Sequence, residues 1–109
     1  MANTFKNKTF NGNSTTANTN MAVYTAPSST TTVVIGLTLA NTTSSQITAD
    51  IKLAAADTIY LAKDIPIPAG SAFEFFAGNK LILEAGHAII TQSNTANSLD
   101  TALSIMEIT

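Results

Sequence analysis

The chain has 109 residues with 5 lysines, no arginine, 7 acidic residues and a formal charge of −2, which is one domain's worth of chain without a basic stripe. Lacking the arginine fork that reads guanine edges and phosphates, it is not expected to bind nucleic acid. Having no cysteine, it has no disulfide framework, thiol nucleophile or thiolate metal site.

Taken in chain order, residues 1–20 are a polar stretch whose only large apolar side chains beyond Met1 are Phe5 and Phe10. Asn-Gly and Asn-Ser steps give it turn chemistry, and so polar a segment does not bury enough surface to order itself. It is expected to be an extended N-terminal arm. Either a neighbouring subunit holds it through Phe5 and Phe10, or it lies along its own domain. Residues 21–109 are expected to form that domain. No apolar stretch marks a signal peptide or a membrane span, so synthesis in the cytosol without a membrane partner is the expectation. The Asn-x-Ser/Thr sequons at Asn7, Asn13 and Asn41 then read as chance.

From Met21 the pattern is strand, turn, strand. Met21–Ala26 alternates Val23 against Tyr24 and stops at Pro27. Thr31–Ala40 carries Val33, Ile35, Leu37 and Leu39 at period two, so these four are expected to share the buried face. Gly36 interrupts it where a bulge fits. Ile47–Leu53 alternates cleanly, with Ile47, Ala49, Ile51 and Leu53 inward. Ala54–Asp57 reads as a loop. Thr58–Lys63 leads into Ile65-Pro66-Ile67-Pro68, an edge-like segment because two prolines remove two ladder donors. Gly70, Gly78 and Gly86 mark turns around the short strands Ala72–Phe76 and Lys80–Glu84, and Ala88–Gln92 follows. Ser93–Ser98 is a last polar loop before Leu99–Ile108.

About eight short strands at this spacing predict a single antiparallel β-sandwich, jelly-roll-like in character. The last strand sets Leu103 and Ile105 on one face against Ala102, Met106 and Ile108 on the other. Phe73, Phe75 and Phe76 likewise place aromatics on both sides of theirs. A second apolar face on such strands is best used against another subunit. Phe5, Phe10, Phe73, Phe75, Met106 and Ile108 are therefore the partner-binding candidates. Charged residues are 11% of the chain, well under the usual quarter, and a weakly charged Thr/Ser/Asn surface suits burial in an assembly.

Little here carries catalytic chemistry. His87 is the lone histidine, follows a turn glycine, and has no Gly-x-Ser-x-Gly elbow or second metal ligand near it. The seven carboxylates are dispersed, with no calcium-loop pattern. No enzyme, cofactor or metal site is expected. A glycan-binding module is the alternative of another class, with the loops 41–46 and 93–98 offering Asn41 and Asn94 to sugar hydroxyls. Against it, the chain has no Trp and only Tyr24 and Tyr60.

Three segments carry a family resemblance: Val23-Tyr24-Thr25-Ala26-Pro27 running on to Ala40-Asn41, Ile65-Pro66-Ile67-Pro68-Ala69-Gly70-Ser71, and Ser93-Asn94-Thr95-Ala96-Asn97-Ser98-Leu99-Asp100 ahead of the Ser-Ile-Met-Glu-Ile end. Over residues 21–108 the chain resembles small β-sandwich virion structural proteins of tailed bacteriophages, notably those of marine bacteria and cyanobacteria. In that pattern the position after Gly86 is often acidic. Here it is His87, which removes a cation-binding reading. The resemblance implies a non-enzymatic component of the virion, assembled in the host cytoplasm. A head decoration or cement protein binding the capsid as a symmetric oligomer, a homotrimer by preference, is the leading expectation. A neck, collar, tail or fibre-adaptor component is the alternative within the virion.

Overall fold

The computed structural model describes residues 3–12, 15–75 and 80–109. Among these residues nine strands form two antiparallel sheets: β1 (Asn3–Phe10), β2 (Met21–Thr25), β3 (Thr31–Asn41), β4 (Ile47–Ala54), β5 (Thr58–Ile67), β6 (Ala72–Phe75), β7 (Leu81–Leu83), β8 (Ala88–Ser93) and β9 (Leu99–Ile108). Sheet 1 runs β1-β9-β3-β6, and β7 pairs with the other end of β3; sheet 2 runs β2-β8-β4-β5. The chain crosses between the sheets at almost every turn, and β6 and β7 share one lane beside β3. The two packed antiparallel sheets are the sandwich that the strand spacing predicted, and their double Greek key is the jelly-roll order.

Period-two alternation fixes which face each strand buries. In β9, Leu99, Thr101, Leu103, Ile105 and Glu107 point inward while Ala102, Ser104, Met106 and Ile108 point out. In β4 the inward set is Ile47, Ala49 and Ile51, with Leu53 partly covered, as expected. The core joins these to Met21, Val23, Tyr24, Val34, Leu37, Leu39, Ile67, Leu83 and Ile89 from both sheets. Each large side chain buried there contributes roughly 1.5–3 kcal/mol relative to exposure.

One strand corrects the simple alternation. In β3 the expected inward set included Val33 and Ile35, yet Val34 is fully buried, Val33 half-buried and Ile35 38% exposed. The register against β9 slips between Val34 and Gly36, so Ile35 is the extra residue of a β-bulge. One inserted residue reverses the face of everything before it. Thr32 and Val34 therefore face inward ahead of the bulge, and Leu37, Leu39 and Asn41 after it. A similar slip in β2 between Ala22 and Tyr24 lets both Val23 and Tyr24 be buried.

The turns use their special residues as expected. Gly70 and Gly86 have φ of 67° and 86°, left-handed values that glycine adopts without a Cβ clash. Gly78 and Phe76 lie outside the described residues. β5 forms the outer edge of sheet 2 and carries Pro66. Its register against β4 slips near Lys63 and Asp64, and the Asp50 carboxylate accepts the Asp64 backbone N–H at 2.7 Å. A bulge, a proline and a lysine blunt an edge against unwanted strand pairing.

Residues 3–10 are extended and hydrogen-bonded to β9 along their length, from Asn3 opposite Ile108 to Phe10 opposite Thr101. Of the two arrangements expected for this segment, the single chain displays the one in which it lies along its own domain. The connection to β2 is pinned too. Gly12 N–H donates to the Asp100 carboxylate at 3.1 Å, Asn97 N–H to the Thr15 carbonyl at 2.9 Å, and Asn18 N–H to the Ser93 carbonyl at 2.8 Å. Gly12 is buried, and a Cβ there would collide with the Leu99 carbonyl oxygen, so this close approach admits only glycine.

Candidate assembly surface

The strands of sheet 1 register so that paired residues share a face, and this decides what its outer surface looks like. Phe5 lies opposite Met106, Met106 opposite Val33, and Val33 opposite Ile82. The four therefore form one row across β1, β9, β3 and β7. All point away from the core, because their strand neighbours Ile105, Val34 and Leu83 point into it. Phe5 is 72% exposed and Ile82 53%, while Met106 and Val33 are half covered by them. Ile108 and the bulged Ile35 flank the row on the same face. Isolated exposed apolar residues are ordinary, but a contiguous row crossing four strands marks an interaction surface.

Farther along the same face the side chains shrink. Asn7, Ser104 and Gly36 form a row two residues away, and Thr9, Ala102 and Thr38 the next. Between Phe5 and Ile35 the small Ser104 leaves an open depression of 290 Å³. Beyond it lies a second open trough of 340 Å³, floored by Thr38, Ala40, Thr101 and Ala102 and walled by Thr9, Phe10, Asn11 and Asp100. The face thus has an apolar ridge at one end and a trough of small residues at the other. Two carboxylates, Asp100 and Glu74, sit at the trough end.

The six partner candidates divide between the two sides of the sheet. Phe5, Met106 and Ile108 are on the outer face, as the two-faced reading of β9 required. Phe10, Phe73 and Phe75 are opposite the inward residues Thr101, Leu39 and Leu37, so they turn toward the core and pack partly buried against it. The Phe73 and Phe75 rings lie 6.3 Å apart at a 35° tilt. Their period-two spacing could have assigned them to one face, and with it to the core.

Sequence reading missed the polar group that holds β1. Glu107 falls on the inward face of β9 and is only 7% exposed. Its carboxylate accepts a hydrogen bond from the Tyr24 hydroxyl at 2.6 Å and pairs with the Lys6 ammonium at 2.8 Å. Thr32 Oγ1 lies 2.8 Å from the same tyrosine oxygen. The Lys6 ammonium, then the Tyr24 hydroxyl, hold the Glu107 carboxyl below its usual range against the opposing effect of burial. Burial and the adjacent carboxylate push the Tyr24 phenol up to about 12. Lys6 and Lys8 both face inward on β1, opposite Ile105 and Leu103. β1 thus docks with lysines where other strands present aliphatics, and Glu107 makes the first of them acceptable. The alternation Leu103, Ile105, Glu107 signals that Glu107 is buried. Its partner was not legible, because Lys6 arrives from the far end of the chain.

The remaining candidates for chemistry are structural. His87 Nδ1 accepts the Glu84 backbone N–H at 3.3 Å, and the His87 backbone N–H donates to the Glu84 carbonyl at 2.9 Å, closing the β7–β8 turn. Among the described residues no three His, Asp or Glu side chains converge as a metal site. Asn41, offered above to a sugar, is buried and spent. Its amide donates to the carbonyls of Ser45, Ile67 and Pro68, and its oxygen accepts from the Thr43 N–H and hydroxyl. Asn94 Oδ1 accepts the Thr48 N–H at 3.0 Å. Asn41 is thus spent at both ends of its amide in fastening its loop, and the Asn94 oxygen ties its loop to β4.

No protein-family model and no curated protein matches the chain. Among solved structures, two crystal structures of a pentameric capsid protein isolated from metagenomic phage sequences are similar to it at 18% identity and a TM-score of 0.41. The match covers 94% of this chain, which spans only about 60% of the length of those proteins. A structure of infectious bursal disease virus, Gt strain, is similar at 9% identity and a TM-score of 0.27, over 98% of this chain and 40% of that one. Likeness at these scores carries no argument about function.

Proposed function

We propose that this protein is a non-enzymatic structural component of a tailed-phage virion, working by packing against protein neighbours. The observation that carries the reading is the uncharged apolar row Phe5–Met106–Val33–Ile82 on the outer face of a jelly-roll sheet. It is joined by the virion-protein resemblance of residues 21–108 and by the low charge of the whole chain. Jelly rolls serve in capsids and in lectins alike, and that is an argument by fold analogy only. Between the two, the spent Asn41 and the absence of tryptophan weigh against the lectin use.

Head decoration, with the protein bound to the capsid as a symmetric oligomer, is the position we favour. Phe5, Met106 and Ile108 are the side chains offered to neighbours. The resemblance implies a trimer. Quantitative mass spectrometry of purified particles, with the major capsid protein as the internal standard, tests the role. Hundreds of copies per particle are expected for head decoration. A dozen or so would move the protein to the neck or tail, and absence from the particle would overturn the virion reading.

A further inference from the structure

We infer that β1 is an open edge that pairs, antiparallel, with β1 of a second copy across a two-fold axis through Phe5, so that sheet 1 continues from one protomer into the next. This inference does not rest on the virion role. Sheet 1 ends on β1 and on the β6–β7 lane, and sheet 2 ends on β2 and β5. β2 and β5 carry register slips, β5 also carries Pro66, and β6 and β7 are only four and three residues long. Of these described edges β1 alone runs eight residues in unbroken register with its neighbour. A long regular edge offers its outward N–H and C=O groups as a template for another strand. Exposure shows which part of it is open. Every residue from Asn3 to Asn7 is exposed, whereas Lys8 and Phe10 are half-buried. The connection to β2 leaves from the Phe10 end, where the Asp100 carboxylate fastens the Gly12 N–H.

Charge selects the register. A two-fold sets the residue on the axis opposite its own copy, and residues directly opposite share a face of the sheet. An axis through Lys6 would set Lys6 on the partner's Lys6. One through Asn7 would set Lys6 on the partner's Lys8, and one through Lys8 would set Lys8 on its copy. Like charges directly opposite destabilise a pair of strands. Axes nearer either end of β1 leave only a stub to pair. The axis through Phe5 avoids all of these, setting Phe5 on the partner's Phe5, Asn3 on the partner's Asn7 and Thr4 on the partner's Lys6. On the inward face Glu107 lies opposite Thr4, so the row runs Glu107, Thr4, the partner's Lys6. Each carboxylate then has the partner's ammonium in its own row. The two Lys6 side chains are diagonal neighbours, and each is already neutralised by its own Glu107 at 2.8 Å. Lysines on an edge ordinarily deter pairing, and here they deter every long register but this one. On the outward face the row Ile82, Val33, Met106, Phe5 continues into the partner's Phe5, Met106, Val33 and Ile82. Phe5, 72% exposed in the single chain, gains an aromatic neighbour.

Such a contact is at the low end of specific interfaces, under about 1,200 Å², so the pair should form with rising concentration. It departs from the trimer that the resemblance implies. The absence of cysteine makes it testable with single substitutions. Residues opposite each other on paired strands have Cα atoms about 4.5–5.5 Å apart, inside the range a disulfide spans. Phe5→Cys should therefore oxidise to a species of twice the mass. Asn7→Cys alone should not, because its copy lies about four residues along the partner strand, roughly 14 Å away. Mixing Asn7→Cys with Asn3→Cys should give the linked pair with both Phe5 rings still in place. Self-linking of Asn7→Cys without the mixed pair would overturn the register. In light scattering the unmodified protein should climb from one mass to twice that mass with concentration. A monomer at every concentration would overturn the pairing itself, as would a trimer. Particle copy number is read independently, so failure of the pairing and failure of the virion role are distinguishable.

Discussion

The two sheets of this sandwich share one core and differ in what they turn outward. Sheet 1 presents Phe5, Met106, Val33, Ile82, Ile35 and Ile108, with Asp100 and Glu74 at the trough end. Sheet 2 presents Ala22, Ile90, Lys52 and Tyr60 in the corresponding row, followed by Asp50, Gln92 and Thr48. There the lysines are engaged with their neighbours. Lys52 Nζ lies 5.1 Å from the Tyr60 ring centre and donates to Asn20 Oδ1 at 2.9 Å, while Lys63 Nζ lies 5.2 Å from the same ring centre. Cations laid over an aromatic ring make its exposure compatible with water. The lesson is that exposed aromatic area is not alike on the two faces. Tyr60 is dressed with charge, whereas Phe5 is left bare.

If the sheets differ only on their outer faces, removing an inward side chain should hurt equally in either. Leu37→Ala in sheet 1 and Ile51→Ala in sheet 2 are each expected to cost about 2–5 kcal/mol in denaturant unfolding, by lost burial plus a cavity. A cost confined to one of them would break the picture of a shared core. The outer faces should then separate sharply. Met106→Asp puts a charge in the apolar row and is expected to weaken self-association at least about tenfold, or roughly 1.4 kcal/mol. Lys52→Asp on sheet 2 should leave the mass in light scattering unchanged. Equal loss in both variants would remove the distinction between the faces.

The edge of sheet 1 adds a difference that acid reveals. The folded state holds Glu107 more acidic than the 4.5 of a free carboxyl. Its contribution is therefore fully present above about pH 4.5 and is lost as pH falls through the lower folded value. The unmodified protein should lose stability across that acidic range more steeply than Glu107→Gln. Amide exchange should quicken first in β1. Added salt should blunt the effect, since Lys6 is partly exposed. Parallel acid profiles for the two proteins would show that the Lys6–Glu107 pair does not hold β1.

How much of this was legible in the sequence depended on how local its cause was. Strands with unbroken alternation, β4 and β9, disclosed their inward faces, because period two is a property of consecutive residues. Met106 and Ile108 could be assigned to an outer face for the same reason. The all-β sandwich class followed from strand spacing and turn residues, whereas the order of strands within it did not. What stayed hidden depends on pairing between distant segments. Phe5, Met106, Val33 and Ile82 become one surface only when β1, β9, β3 and β7 are in register. Glu107 finds Lys6 only because β1 lies beside β9. Phe10 belongs to the core for that reason too, though nothing in its polar surroundings announced it.

The smallest expected effect tests the one local misreading. Ile35 sits in an apolar run where strict alternation would bury it, but Gly36 follows it and the register slips there. The bulge sends Ile35 outward beside Phe5, and an exposed isoleucine has little burial to lose. Ile35→Ala is therefore expected to cost under about 1 kcal/mol of stability, the range of surface changes, against the several of Leu37→Ala two positions on. On the outer face its removal should weaken self-association modestly, by less than Met106→Asp, because it flanks the row without lying in it. Should Ile35→Ala prove as costly to folding as Leu37→Ala, β3 would be paired without the bulge. Val33 would then turn inward, and the row that joins Phe5 to Ile82 across sheet 1 would lose its middle.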